Sequence, residues 1–125
     1  MIQTVTFRSV PTEVYISLAF MLIDVVTGIL KAVKNKELNS TKAREGIYKK
    51  ASFIIFIAFG YLAEFAMYYV DLGFNFPAGA SVCILVILTE AISVLENLGS
   101  INPEMVALVA PFLSVLNEKK DGELK

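Results

Sequence analysis

Apolar residues in this chain gather into long runs, not the one-face stripe of a soluble helix or the alternation of a half-buried strand. Three runs stand out. Residues 14–30 contain a single charge, Asp24; residues 51–70 contain a single charge, Glu64; residues 72–89 contain none and end at Glu90. Each approaches the roughly 20 residues a helix needs to cross a hydrocarbon layer of about 30 Å. A fourth run, residues 105–116, is apolar over 12 residues and interrupted by Pro111. It is too short to span and predicts an interfacial or re-entrant helix. The pattern therefore predicts an all-α integral membrane protein, with three transmembrane helices and a short C-terminal interfacial helix in a single membrane domain. The expected order is an N-terminal segment 1–11, a first span 12–33, a basic loop 34–50, a second span 51–70, a third span 77–95, an interfacial helix 103–117 and a charged tail 118–125.

Local signals support these limits. Pro11, Thr12 and Glu13 supply a rigid residue, a capping hydroxyl and an early acid at the start of the first span. Asp24 interrupts the apolar run, and no small-residue cleavage site follows, which argues against a secretory signal peptide. Gly73, Asn75, Pro77 and Gly79 make a turn-rich approach to the third span. Gly99 suits a helix C-terminus, and Asn102 with Pro103 suits a new helix start. On an insertion scale the ten strongly apolar residues of the first span contribute roughly −4.5 kcal/mol, and Asp24 cancels most of it at about +2.5 to +3.5. The first span is thus marginal alone, and the second resembles it because of Glu64.

Composition agrees. Of 125 residues, 56% are hydrophobic and 18% charged, against roughly 45–50% and 25% in soluble domains. The single cysteine, Cys83, excludes an intrachain disulfide. The absence of histidine excludes a His-containing metal site and a Ser-His-Asp or Cys-His nucleophile system. No cofactor, metal or catalytic group is expected. A net charge of −1 argues against nucleic acid as a partner. The placement of charge says more. Lys31, Lys34, Lys36, Lys42, Arg44, Lys49 and Lys50 are seven of the 11 basic residues. The positive-inside rule puts that connection in the cytoplasm, with the N-terminus outside and the C-terminus inside.

Carboxylates inside a membrane are costly and are functional candidates by default. Asp24, Thr27, Gly28 and Lys31 recur on one helix face; Glu90, Ser93 and Asn97 share another, with Glu96 beside it. At 1.5 Å per residue, Asp24 lies roughly 10 Å in from Lys31 and Glu90 roughly 9 Å in from Glu96, whereas Glu64 lies roughly 21 Å from Lys50. Asp24 and Glu90 thus share a layer and Glu64 occupies another. No Lys or Arg lies within the apolar runs to pair with them. Two readings fit these residues: hydrogen-bonding glue between packed helices, or a face that is hidden in one packing and meets water in another. Gly60 and Ala63 on the second span, and Gly79 and Cys83 on the third, permit close helix approach.

Three segments carry a family resemblance. Residues 21–32, with Asp24, Thr27 and Gly28, resemble the D-x-x-T-G segment of the toxin-secretion/phage-lysis holin family. Ser40, Gly46, Lys49 and Lys50 resemble its S-x-x-x-x-x-G-x-x-K-K loop, and Glu90, Ser93, Glu96 and Asn97 its E-x-x-S-x-x-E-N segment. The three matches occur in order over roughly residues 20–104. The resemblance implies a small multi-pass protein of the bacterial cytoplasmic membrane. It implies a homo-oligomer in the lipid bilayer that forms lesions and releases an endolysin, or in some relatives a toxin. The alternatives are a small proton-coupled transporter using an intramembrane carboxylate, and an antiholin or structural membrane subunit. The short fourth run and the absence of tryptophan weigh against the transporter.

Overall fold

The computed structural model describes residues 10–124; residues 1–9, most of the expected N-terminal segment, and Lys125 lie outside the described residues. Four α-helices follow one another: α1 Thr12–Lys34, α2 Ser40–Tyr69, α3 Ala78–Ile101 and α4 Val106–Leu124, with a 3₁₀ turn at Pro103–Met105 before α4. No strand occurs among the described residues. Helices α1, α2 and α3 are each long and apolar enough to cross a membrane.

α1 starts directly after Pro11, whose fixed φ is compatible with a helix start. Thr12 is already its first residue, and no side chain caps it. The expected capping hydroxyl is therefore not used; Val14 N–H donates to the Pro11 carbonyl. The stretch expected as a basic loop is mostly helix. Only residues 35–39 form the turn, with Lys36 in the left-handed region at φ 56°. Asn39 then caps α2, its side-chain oxygen accepting from Lys42 N–H at 2.8 Å. Lys, Ala, Arg and Glu in the following turns are good helix formers, so α2 extends the second span by about three turns toward the N-terminus. The reading from charge alone placed these residues in a loop because they are polar, and polarity decides solvation, not backbone conformation.

α3 also exceeds its expected end at residue 95 and runs to Ile101. Its last turns carry Asn97 and Ser100, which bond to α1 and to the turn after it. α4 runs through Pro111 to Leu124, so most of the expected charged tail is helical. Pro111 removes one ladder hydrogen bond without ending the helix.

α3 is the centre of the assembly. α1, α2 and α4 each pack on it, while the backbones of α1 and α2 stay apart. Met21, Ile57, Val82, Cys83 and Val86 form the core, with Val14, Phe53 and Tyr61 against it. The tightest crossing joins α2 and α3. A Cβ at Gly60 would lie 2.9 Å from a Val82 methyl and 3.1 Å from the Ala78 carbonyl oxygen. One at Gly79 would enter the Tyr61 ring. α4 approaches α3 at Gly99, beside Val106 and the buried Val109. The remaining apolar surface of α1 and α2, such as Leu22, Ile55 and Leu62, faces outward, as lipid-facing residues do.

Gly60→Leu should separate α2 from α3 and cost about 1–3 kcal/mol, the usual range for overpacking. Gly46→Ala, inside α2 with nothing within 4 Å, should stabilise by about 0.4–1 kcal/mol through helix propensity. Thermal unfolding in detergent checks both, and equal stability of Gly60→Leu and the parent would refute a close crossing.

Candidate functional site

Eleven residues separate Glu13 from Asp24 on α1, Lys50 from Tyr61 on α2 and Gly79 from Glu90 on α3. Eleven residues are close to three turns, about 16 Å, so each helix repeats its inward face at the same interval. α2 runs opposite to α1 and α3, and the three repeats meet as two polar layers.

In the first layer the Lys50 ammonium donates to Asp24 Oδ2 at 2.5 Å and to Glu90 Oε2. Glu90 is fully buried, and Asp24 and Lys50 are partly buried. Asn97 extends the layer, its Nδ2 donating to Asp24 Oδ1 and to Thr27 Oγ1, both at 3.0 Å. Thr27 in turn donates to the Ile23 carbonyl at 2.8 Å. Fully ionised, the two carboxylates and one ammonium carry a formal charge of −1, and Glu90 Oε1 is buried without a hydrogen-bond partner. Counted along the helices, Asp24 lies about 15 Å from Lys34 and Glu90 about 16 Å from Ile101. Both are therefore close to the middle of their helices.

In the second layer Tyr61 OH donates to Glu13 Oε1 at 3.0 Å. One turn further along α2, Glu64 Oε1 accepts from Gly79 N–H at 3.0 Å. Glu64 thus places its carboxylate on the exposed N–H groups of the first turn of α3, where the helix dipole favours negative charge. At the other end of α3, Lys34 Nζ donates to the Ile101 carbonyl at 2.5 Å, which complements the C-terminal end of the same dipole.

Of the residues singled out from sequence, Asp24, Thr27, Glu90 and Asn97 come together, and Gly28 lies beside Asn97. A Cβ at Gly28 would meet Asn97 Nδ2 at an ordinary 3.8 Å. Glu64 lies apart in the second layer. Ser93 is half-buried and Glu96 exposed, and neither joins the network among the described residues. The expectation that the carboxylates lack a cation is corrected, because Lys50 serves both. By sequence pattern alone Lys50 belongs with the charges that set topology. Its position just before the apolar run, on the face of α2 that continues through Phe53, Ile57, Tyr61 and Glu64, is the signal that could have found it. Lys31, Lys36, Lys42, Arg44 and Lys49 join no ion pair among the described residues, and Lys49 lies 5.6 Å from the Phe53 ring centre. No group of three or more His, Cys, Asp or Glu side chains could hold a metal among the described residues.

Lys50→Met should leave two buried carboxylates facing each other and destabilise the fold by about 3–5 kcal/mol, the usual cost of breaking a buried ion pair. Combining it with Asp24→Asn and Glu90→Gln should recover most of that loss. Unfolding in detergent reads both, and a Lys50→Met protein as stable as the parent would show that the layer carries no such tie.

Comparison with known proteins is consistent with this architecture. A relative from Clostridium perfringens, described as an uncharacterized 14.9 kDa protein in the nagH 3′ region, is 28% identical over 103 residues, covering 82% of this chain and 75% of the relative. No solved structure matches. The family model for the bacteriophage holin family matches residues 1–118. With nearly its whole length matched and three apolar helices for a multi-pass place in the cytoplasmic membrane, the chain belongs to the bacteriophage holin family.

Proposed function

We propose that the chain is a holin: it accumulates in the bacterial cytoplasmic membrane, oligomerises there and opens lesions that release an endolysin or a secreted toxin. The single observation that carries this reading is the family match over residues 1–118. The architecture supports it. One chain of 125 residues cannot enclose a hole that passes an enzyme, so the hole requires many copies. The polar layer around Lys50 is held by hydrogen bonds that a second packing can exchange for water or for a neighbouring copy. In the packed protomer Asn97 bonds Asp24 and Thr27 while Lys50 pairs with Asp24 and Glu90; in the open assembly these groups become hydrated and line the lesion. The basic residues Lys31 to Lys50 hold the α1–α2 turn in the cytoplasm, with the N-terminus outside and the C-terminus inside.

Inducible expression in a bacterium tests the reading. After a delay, growth should stop abruptly and membrane potential should collapse, while crosslinking of membranes sampled through the induction should show homo-oligomers growing before the collapse. A graded loss of potential would favour a transporter, and no effect an antiholin. A strictly monomeric protein at lethal expression would contradict lesion formation.

Asp24→Asn keeps shape and hydrogen bonding but removes the charge, so it should insert at least as well as the parent. At matched abundance its lysis time should shift or lysis should fail. Unchanged timing for both Asp24→Asn and Glu90→Gln would leave the polar layer as packing glue alone. For orientation, a cysteine at position 36 should react only from the cytoplasmic side, and labelling from outside would reverse the topology.

A further inference from the structure

The ion pairs fix the relative heights of the helices, and those heights place unlike surfaces side by side. α2 is one continuous helix from Ser40 to Tyr69. Lys50 is level with Asp24 and Glu90. From that level, α1 needs about 15 Å to reach Lys34, α2 about 15 Å to reach Ser40 and α3 about 16 Å to reach Ile101. The first three turns of α2 therefore occupy the same slab as the last three turns of α1. The α1 stretch faces outward through the apolar Val25, Val26, Ile29 and Leu30, with Lys31 and Lys34 confined to its last turn. The α2 stretch carries Lys42, Arg44, Glu45 and Lys49, and every residue from Ser40 to Lys49 is exposed. At the opposite end the offset is reversed, and the Leu62 to Tyr69 stretch, apolar except for Glu64, continues about 12 Å beyond the Tyr61 level. The apolar band of α2 is displaced along the helix axis relative to those of α1 and α3.

A flat bilayer cannot match both bands. Charged side chains in hydrocarbon seek water, a partner or the headgroup layer, and those on the first turns of α2 have no protein cover. We infer that the first three turns of α2 form the wall of a water-filled cleft that reaches from the α1–α2 turn to Lys50, halfway through the membrane. The opposite wall is the polar edge that Asp24, Asn97 and Lys34 present. Asp24 and Lys50 keep 14% and 16% of their side-chain surface open, whereas Glu90 behind them has none, so the cleft ends at Lys50. The cleft belongs to the protomer and exists whether or not the chain lyses cells. If it does, each copy brings a ready-wetted strip to the lesion.

Paired cysteines at equal height test this. Glu45→Cys and Ile29→Cys lie five residues from Lys50 and Asp24 respectively, and Tyr48→Cys and Val26→Cys lie two residues from them. The native Cys83 is fully buried and serves as a silent background. A charged, membrane-impermeant thiol reagent is applied to membrane vesicles of both orientations. The thiolate is the reactive form and an apolar setting suppresses it, so Glu45→Cys and Tyr48→Cys should label at least about tenfold faster than Ile29→Cys and Val26→Cys. That difference should appear only from the side holding the α1–α2 turn. Equally slow labelling at all four positions would mean that lipid covers α2, and equally fast labelling would mean that this whole end of the bundle projects out of the membrane. Either result overturns the cleft. Arg44→Cys replaces any α2 variant that fails to accumulate.

Discussion

The packing of the three long helices depends on one ammonium group. α1 and α2 both lie on α3 but do not approach each other closely along their backbones, and Lys50 is where a polar group joins all three. A carboxylate left alone at mid-membrane is costly, so Asp24 and Glu90 need the same cation. Because a Lys side chain reaches only a few ångströms, the requirement sets the height of α2 against both neighbours. The second layer follows from it. With eleven-residue intervals on all three helices, registering Lys50 with Asp24 and Glu90 also registers Tyr61 with Glu13 and Gly79. Burying two acids around one base adds little net stability compared with well-packed apolar groups; here it selects one register among several that apolar sliding would permit.

α3 can serve as the hub because both of its ends are compensated from outside. Glu64 meets its first free N–H groups and Lys34 its last carbonyls. These contacts use the sign of the helix dipole at each end, and they satisfy backbone groups that hydrocarbon would leave bare. Small residues do the rest. Gly60 and Gly79 let α2 sit close enough for Tyr61 to cover the α3 backbone, and Cys83 and Val86 fill the space left between Met21 and Ile57. Apolar association between helices gains little from lipid exclusion, so close packing and interhelical hydrogen bonds carry the specificity.

The same economy limits how firmly the protomer is held. Interhelical hydrogen bonds in membranes average about 0.6 kcal/mol, because a separated helix finds other partners. Copies of the same chain offer those partners in the same layers. On the proposed holin reading, such exchangeable hydrogen bonds would let one packing give way to another.

The chain's own pattern determined the class of fold. Three apolar runs of membrane-spanning length, set off by Asn, Gly and Pro, specify three helices, because hydrocarbon leaves an isolated backbone no other way to satisfy its N–H and C=O groups. It also marked Asp24, Thr27, Glu90 and Asn97, since polar residues at helical spacing in an apolar run are rare enough to be seen one at a time. What each of them meets was decided by tertiary structure. Lys50 is one cation in a basic stretch by sequence, and becomes a partner only because α2 starts at Ser40 and lies at the height of Asp24. Glu64 stands in a layer of its own by sequence, and only the start of α3 beside it supplies its partner, the Gly79 N–H. Ser93 and Glu96 share the spacing of their neighbours yet stay outside the network. Periodicity specifies a face on one helix; only the height and rotation of the next helix decide which groups on that face find a partner.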